Sequence, residues 1–485
     1  MFQFDNTYAR LPEAFYARVD PAPVPEPGLI AWNGDLARTL GLDSESFSDR
    51  QLAEIFSGQR LLPGSEPLAM AYAGHQFGNF VPQLGDGRAL LLGEVLDSTG
   101  RRLDIQLKGS GKTPFSRMGD GKSPLGPVLR EYIVSEALHH LGMPTTRALA
   151  AVTTGEPVYR EKALPGAILT RVASSHIRVG TFEYFAAQQD LDNLRRLADY
   201  AIQRHYPEVA NDSEALLHFF RKVGEAQVEL VTGWLALGFI HGVMNTDNMS
   251  IAGESIDFGP CAFMDQFRFD QVFSSIDQYG RYSYSNQAKI TLWNLSRFGS
   301  CLLLLADDGA NESSSIWNQE MEGLRSLFEE RHTAKMLEKL GVFDGQQSED
   351  RELIQKWLRY LEAESLDYTL SFRELAKLVD QDAGVGSFAR TEAFQDFHQH
   401  WQTRLQTQGL KAGTVRERMN RVNPAFIPRN HKIEEVIAAG RQGDFSPFQD
   451  MNQVLRRPFE EQQAFSSYHS APRPEEVVQA TFCGT

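Results

Sequence analysis

The hydrophobic periodicity of this 485-residue chain changes near Thr181, and few architectures accommodate the change. Before that point, the runs ALLLGEV and RRLDIQLK within residues 89–108 flank LDSTG, which is the signature of a β-hairpin. Residues 123–141 carry Val128, Leu129, Ile133, Leu138 and Leu141 on one helical face, with Gly142 and Pro144 as stop signals. Strands are predicted over 148–153 and 167–173. Beyond Thr181 the 3.6-residue period takes over, predicting helices over 191–204, 213–237, 287–306, 316–340 and 349–364. The fold class expected is α+β. Its β-rich lobe, 85–180, holds one long helix, and its helical lobe runs over 181–387. An N-terminal extension, 1–84, wraps the lobes, and a C-terminal helical extension and tail covers 388–485. Within the first extension, PAPVPEPG connects to short helical patterns near 32–40 and 49–56.

Composition removes several function classes. The 42% hydrophobic and 23% charged content is that of a soluble globular chain. A net charge of −15 argues against nucleic acid as a partner, because backbone binding needs a basic surface. The apolar run CLLLLA at 301–306 is far shorter than the roughly 20 residues that cross a bilayer. The start, MFQFDNTYARL, has neither the basic and apolar regions of a secretory signal nor an Arg-rich transit character, so no membrane partner and a cytoplasmic location are expected. Cys261, Cys301 and Cys483 are too scattered for a disulfide framework or a zinc ribbon.

The segment 241–263 interrupts the helical region, and it carries the most chemistry. HGVMNTDNMSI is followed by AGES as a turn and then IDFGP, so a loop, a short hairpin and Asp-Phe-Gly follow in order. That is the magnesium-binding layout of kinases. Asn248 and Asp257 supply two hard oxygen donors for Mg2+, or for Mn2+ in its place, held on nucleotide phosphates. Lys108 at a strand end and Glu131 on the next helix match the ion pair with which kinases steady ATP. Singly, each reads equally well as a solvated surface residue. The preserved order of strand lysine, helix glutamate, loop asparagine and Asp-Phe-Gly favours a protein-kinase-like two-lobed fold.

Two glycine-rich stretches, QLGDGRA at 83–89 and KGSGKTPFSRMGDGKSP at 108–124, lack both the GxGxxG and the Walker spacing, so glycine alone indicates turns. Arg88, Lys112, Arg117 and Lys122 lie in or beside them in an acidic chain, which suggests a polyphosphate pocket. For Arg171 and Arg178, spacing by itself favours salt bridges. A departure then carries information. Against the small-molecule kinase pattern HGDxxxxN, His241, Gly242 and Asn248 fall in register, but the Asp position is Val243. Valine cannot accept a proton, so transfer of the γ-phosphoryl group loses its usual base. A carboxylate survives as Asp247, one residue before the metal donor.

LGDGRALLLGE, QLKGSGKTPFSRMGDGKSPLGPVLREYI, LTRVASSHIRVGTFEYF, HGVMNTDNMSI, IDFGPCAFMD and VNPAFIPRNHKIEEVI together closely resemble the selenoprotein O family. The resemblance implies a kinase-like protein that binds ATP in a flipped orientation and attaches AMP to Ser, Thr or Tyr hydroxyls of proteins, itself included. It also implies nucleotide contacts at Gly85, Gly87, Arg88, Lys108, Asp120, Gly121, Arg171, Arg178 and Asp257. Asn248 and Asp257 would then be metal ligands, Asp247 the proton acceptor and Glu131 the partner of Lys108. An Asp with an ordinary pKa near 3.9 would be a weak base, orienting the hydroxyl at least as much as deprotonating it. Many members carry selenocysteine near the end, where this chain has Cys483. Cys483 is therefore a redox candidate within reach of Cys261, the alternative being a free tail thiol.

Overall fold

The structure is a computed structural model and describes residues 2–42, 46–306, 310–345, 348–379, 388 and 391–482. Its strands crowd into the first 173 residues. They are β1 (Tyr16–Arg18), β2 (Gly28–Trp32), β3 (Leu68–Met70), β4 (Gly74–Gln76), β5 (Asn79–Val81), β6 (Ala89–Leu96), β7 (Arg102–Lys108), β8 (Ser123–Pro124), β9 (Arg147–Tyr159) and β10 (Ala163–Ala173). β1-β3-β6-β7-β10-β9-β2 is the order of the main sheet, with β8 paired to β10, while β4 and β5 form a separate hairpin. The predicted hairpin is β6–β7, with Ala89 opposite Lys108. β1, β2 and β3 come from the first seventy residues, where three- to five-residue strands leave no readable alternation.

Alternation along β7 divides its side chains between two environments. Ile105 and Leu107 join Leu92, Leu149, Val152 and Ile168 in an apolar layer beneath the helices α1 (Gly34–Thr39) and α2 (Asp49–Phe56). Asp104, Gln106 and Lys108 face the other way, and Arg171 on β10 shares that face because it lies opposite Gln106. The helix α3 (Leu125–His140) is buried on nearly every side, through Leu129, Ile133 and Leu138 among others.

After the sheet come α4 (Val179–Ala187), α5 (Leu191–His205), α6 (Ala215–Leu237), α7 (Gln287–Leu303), α8 (Ala310–Lys339), α9 (Asp350–Ala363), α10 (Tyr368–Lys377), α11 (Glu392–Thr407), α12 (Ala412–Val422), α13 (Asn430–Gly440) and α14 (Ser446–Leu455). Periodicity anticipated α5 to α9. It missed α4, whose Val179, Phe182, Glu183 and Phe185 are all buried, so that no polar face marks the helical repeat. α13 and α14 pack on α3, and Arg130 pairs with Glu434 at 2.6 Å. Arg204 of α5 reaches back to Glu94 of β6 and Asp104 of β7, fixing helices against sheet through buried ion pairs. Among the described residues no helix is long and apolar enough to cross a membrane.

Two short strands, β11 (Phe239–Ile240) and β12 (Ala262–Phe263), pair antiparallel and bracket the chemistry-bearing segment. The expected short hairpin inside it does not close on itself. Ser250 bridges Arg178 and Ser255 bridges Thr145, so the segment is stitched to the sheet region instead.

Candidate functional site

A cleft of about 720 Å³ opens where the sheet meets the helices. Its walls bring together Gly85, Gly87, Arg88, Lys108, Asp120, Gly121, Arg171, Arg178, Asp247, Asn248 and Asp257. Arg117 and Lys122 line it too, whereas Lys112 points to solvent elsewhere. Glu131 stands one layer behind. Val243 also faces the cleft, 7% exposed, in the slot where a base was expected.

Asp257 sits at φ +64°, a conformation costly for a non-glycine residue and often found at functional sites. Three cations converge on its carboxylate. Lys108 Nζ donates to Oδ1 at 2.8 Å, Arg171 to Oδ1 at 2.7 Å and Arg178 to Oδ2 at 2.8 Å. Glu131 accepts from Lys108 at 2.6 Å and from Arg171 at 3.3 Å, completing a buried network. Burial would raise the pKa of Asp257, but the three cations outweigh it and hold the group well below the ordinary carboxylate range. Arg171 and Arg178 thus make the salt bridges that spacing suggested, and they make them inside the cleft, both at 2% exposure. Arg178 also lies over the Tyr72 ring, 4.5 Å from its centroid.

Asp247 is the opposite case. Its backbone carbonyl accepts from Arg178 at 2.7 Å, but among the described residues no hydrogen bond or ion pair joins its carboxylate to a cation. Oδ2 accepts from Gln76 at 3.3 Å, and Oδ1 is buried without a hydrogen-bond partner. Burial pushes this group up to about 7, against the pull of Arg178. The expectation of an ordinary, weakly basic Asp is corrected by that environment, since a carboxylate titrating near neutrality can both take and release a proton.

The glycine-rich stretches form the far wall. Gly85 adopts φ +80°, and a Cβ there would stand 2.4 Å from the Phe115 ring. At Gly121, φ is +72° and a Cβ would lie 2.1 Å from the carbonyl oxygen of Gly111. Only glycine fits at these points, because a side chain would collide with the protein's own Phe115 ring or Gly111 carbonyl. At the rim Asp120 is gripped by Arg160 through two bonds of 2.8 and 3.1 Å, and Lys122 pairs with Glu156 at 2.7 Å.

For a metal ion, the donors available are the oxygens of Asn248, Asp247 and Asp257. Asn248 Nδ2 donates to the Val243 carbonyl at 3.0 Å, which commits the amide nitrogen and frees its oxygen for a ligand. Among the described residues no cluster of three or more His, Cys, Asp or Glu could by itself hold a metal. That donor set suits an ion such as Mg2+, which keeps water and phosphate oxygens and takes few protein ligands.

Sequence reasoning passed over His75, Gln76, Thr246 and Glu183. His75 Nδ1 pairs with Glu183 at 2.6 Å, the His75 amide donates to Thr246 Oγ1 at 2.7 Å, and Thr246 in turn donates to Glu183. AGHQFG could have signalled a glycine-punctuated turn, but nothing in it names a partner about 170 residues away. Cys261 is buried, its thiol donating to the Phe258 carbonyl at 3.3 Å. Thr481 donates to the Pro260 carbonyl and bonds the backbone at Phe273 and Ser275, so the chain end approaches the segment after Asp257. Cys483 lies outside the described residues.

Residues 1–456 match the family described as protein adenylyltransferase SelO. The whole chain is similar to proteins named protein nucleotidyltransferase YdiU. One from Rhizobium meliloti is 53% identical over 489 aligned positions, covering 100% of this chain and 99% of that protein. Others are those of Rhodopseudomonas palustris, 53% identical with 100% and 99% covered, and Rhizobium rhizogenes, 54% identical with 99% and 97% covered.

Proposed function

This chain belongs to the protein adenylyltransferase SelO family, and from that premise we infer that it transfers AMP from ATP to protein hydroxyl groups, releasing pyrophosphate. The observation that carries the reading at the level of the site is the contrast inside the cleft: three cations gather at Asp257, while Asp247 stands without one. A nucleotide with its β and γ phosphates drawn toward Lys108, Arg171 and Arg178 would leave the α-phosphorus toward Asp247. This is the flipped orientation, and the cation cluster supports it. The crowding of β1 to β10 before residue 174 and of α4 to α14 after 178 supports reading the fold as two-lobed and kinase-like, with a boundary near 180.

In this reading Asn248 and Asp257 would hold Mg2+ or Mn2+, which when bound would offset charge on the phosphate oxygens. Lys108 and the two arginines bind and orient the polyphosphate, with Glu131 fixing Lys108. Gly85, Gly87, Arg88, Asp120 and Gly121 wall the nucleotide in. The hydroxyl oxygen of a Ser, Thr or Tyr attacks the α-phosphorus, its proton passes to Asp247, and the bond to the bridging oxygen of pyrophosphate breaks. Because the same chemistry accepts any hydroxyl that reaches the cleft, the protein's own hydroxyls are substrates as well. Val243 weighs against γ-phosphoryl transfer, since the ordinary base is missing. Incubation with ATP labelled at the α or the γ position tests the reading. Label from the α position should appear on protein and γ label should leave as pyrophosphate; γ label on protein would reverse the orientation.

A further inference from the structure

The β4–β5 hairpin meets the loop that carries Asp247 residue by residue. The amide of His75 donates to Thr246 Oγ1, Gln76 Nε2 to Asp247 Oδ2, and the amide of Phe77 to Asn245 Oδ1 at 3.1 Å. Three consecutive hairpin residues thus bond three consecutive loop residues, from segments some 170 positions apart. Phe77 takes φ +51° and Gly78 φ +84°, a two-residue turn of the kind that tight hairpins require. Holding Phe77 there costs energy, which the bonds from its amide to Asn245 and to the Tyr282 hydroxyl, at 3.2 Å, offset. Tyr282 also donates to Asn245 Oδ1 at 2.6 Å, so the tip is tied to the segment beyond Asp257.

The hairpin also determines which carboxylate oxygen is available. Gly74 is packed against Asp247 so tightly that a Cβ would stand 2.5 Å from Oδ1 and 3.0 Å from Cγ. Oδ1 is therefore shut beneath the hairpin backbone. Oδ2 is the oxygen left to meet an incoming hydroxyl, and Gln76 is the side chain that holds it. Gln76 itself lines the cleft beside Asp247.

We propose that Gln76 is the positioning residue of the transfer: its amide fixes Asp247 Oδ2 toward the acceptor hydroxyl, and the β4–β5 hairpin supplies the buttress that a carboxylate moved away from position 243 requires. The proposal rests on the adenylyltransferase reading above. Its role is orientation and not nucleotide binding, because no hydrogen bond joins Gln76 to Lys108, Arg171, Arg178 or Asp257 among the described residues.

The test is steady-state transfer of α-labelled AMP from Mg-ATP to dephosphorylated β-casein, with ATP affinity measured separately by calorimetry. Gln76→Leu keeps the bulk and removes the hydrogen bond. Its kcat should fall about 10- to 100-fold, the cost of a misaimed group, while Kd for ATP stays within about twofold. Gln76→Glu, which retains the shape and whose folding is checked by circular dichroism, should fall further, because a carboxylate then faces a carboxylate. An unchanged kcat in both variants, or kcat and ATP affinity falling together, would overturn the proposal. Wild-type protein that binds ATP but transfers no α label would instead overturn the reading beneath it.

Discussion

The two ends of the cleft handle a carboxylate in opposite ways, although Asp247 and Asp257 are ten residues apart in one loop. At one end Asp257 is surrounded by Lys108, Arg171 and Arg178 and held ionised. At the other, Asp247 lies beneath a hairpin with a single amide for company, and burial brings it near neutrality. The difference shows how one fold gives the same side chain two opposite charge environments. Cations preserve the charge at the first, and desolvation penalises it at the second. Neither environment is local in sequence. The cations arrive from β7, β10 and the start of α4, and the hairpin arrives from before residue 82.

The comparison breaks most visibly at Asp257. Asp257→Ala should lower AMP transfer on the order of 10³-fold or more, since in the proposed role as a metal ligand this carboxylate would supply several kcal/mol of charge stabilisation. It should also lower unfolding stability by about 3 kcal/mol, because buried arginines lose their counter-charge. Labelled transfer and chemical denaturation measure the two effects. Asp247→Asn should separate from it cleanly. Transfer should fall about 10²- to 10³-fold, the range for loss of a general base, while ATP affinity and the denaturation midpoint remain close to wild type. If Asp247→Asn instead lost ATP affinity as severely as Asp257→Ala, the division of labour between the two ends would be wrong.

A third carboxylate sharpens the comparison by separating burial from function. Glu254 accepts from the amide and hydroxyl of Ser174 outside the cleft, and burial raises its pKa from 4.5 to about 7. A folded-state value above the unfolded one means that the proton favours the folded state. Its stabilising contribution is complete below about pH 4.5 and is lost as pH rises through about 7. Glu254→Gln removes that loss, so the stability difference between variant and wild type should grow by about 2 kcal/mol between pH 5 and pH 8. Denaturation curves at the two pH values measure it, and kcat at pH 7 should move less than twofold. A variant whose stability advantage shrinks with rising pH would contradict the assigned environment.

The parts of the site legible beforehand were those with chemistry in their own residue types. Lys108, Glu131, Asn248 and Asp257 stood out by their order along the chain, and the displaced carboxylate was visible because Val243 cannot take a proton. The amphipathic helices α5 and α9 were legible for a similar reason, since each leaves one face in water. What stayed hidden lacked any such mark. α4 is buried all round, and β1 to β3 are too short to alternate.

By itself the sequence determined the identities: which groups carry charge, which donors suit a hard metal, and where strands give way to helices. Tertiary structure alone decided what those groups can do. It turned Arg171 and Arg178 from residues of unknown partner into buried cations of the cleft, by placing them at 2% exposure around Asp257. It moved Asp247 from an ordinary acid to one titrating at about 7 by burying it beneath the hairpin at Gly74, against the lowering pull of Arg178 and of the Gln76 hydrogen bond. The physical reason is that charge is a property of a residue, whereas the energy of holding that charge depends on the solvent and partners around it, and only the folded chain assembles those.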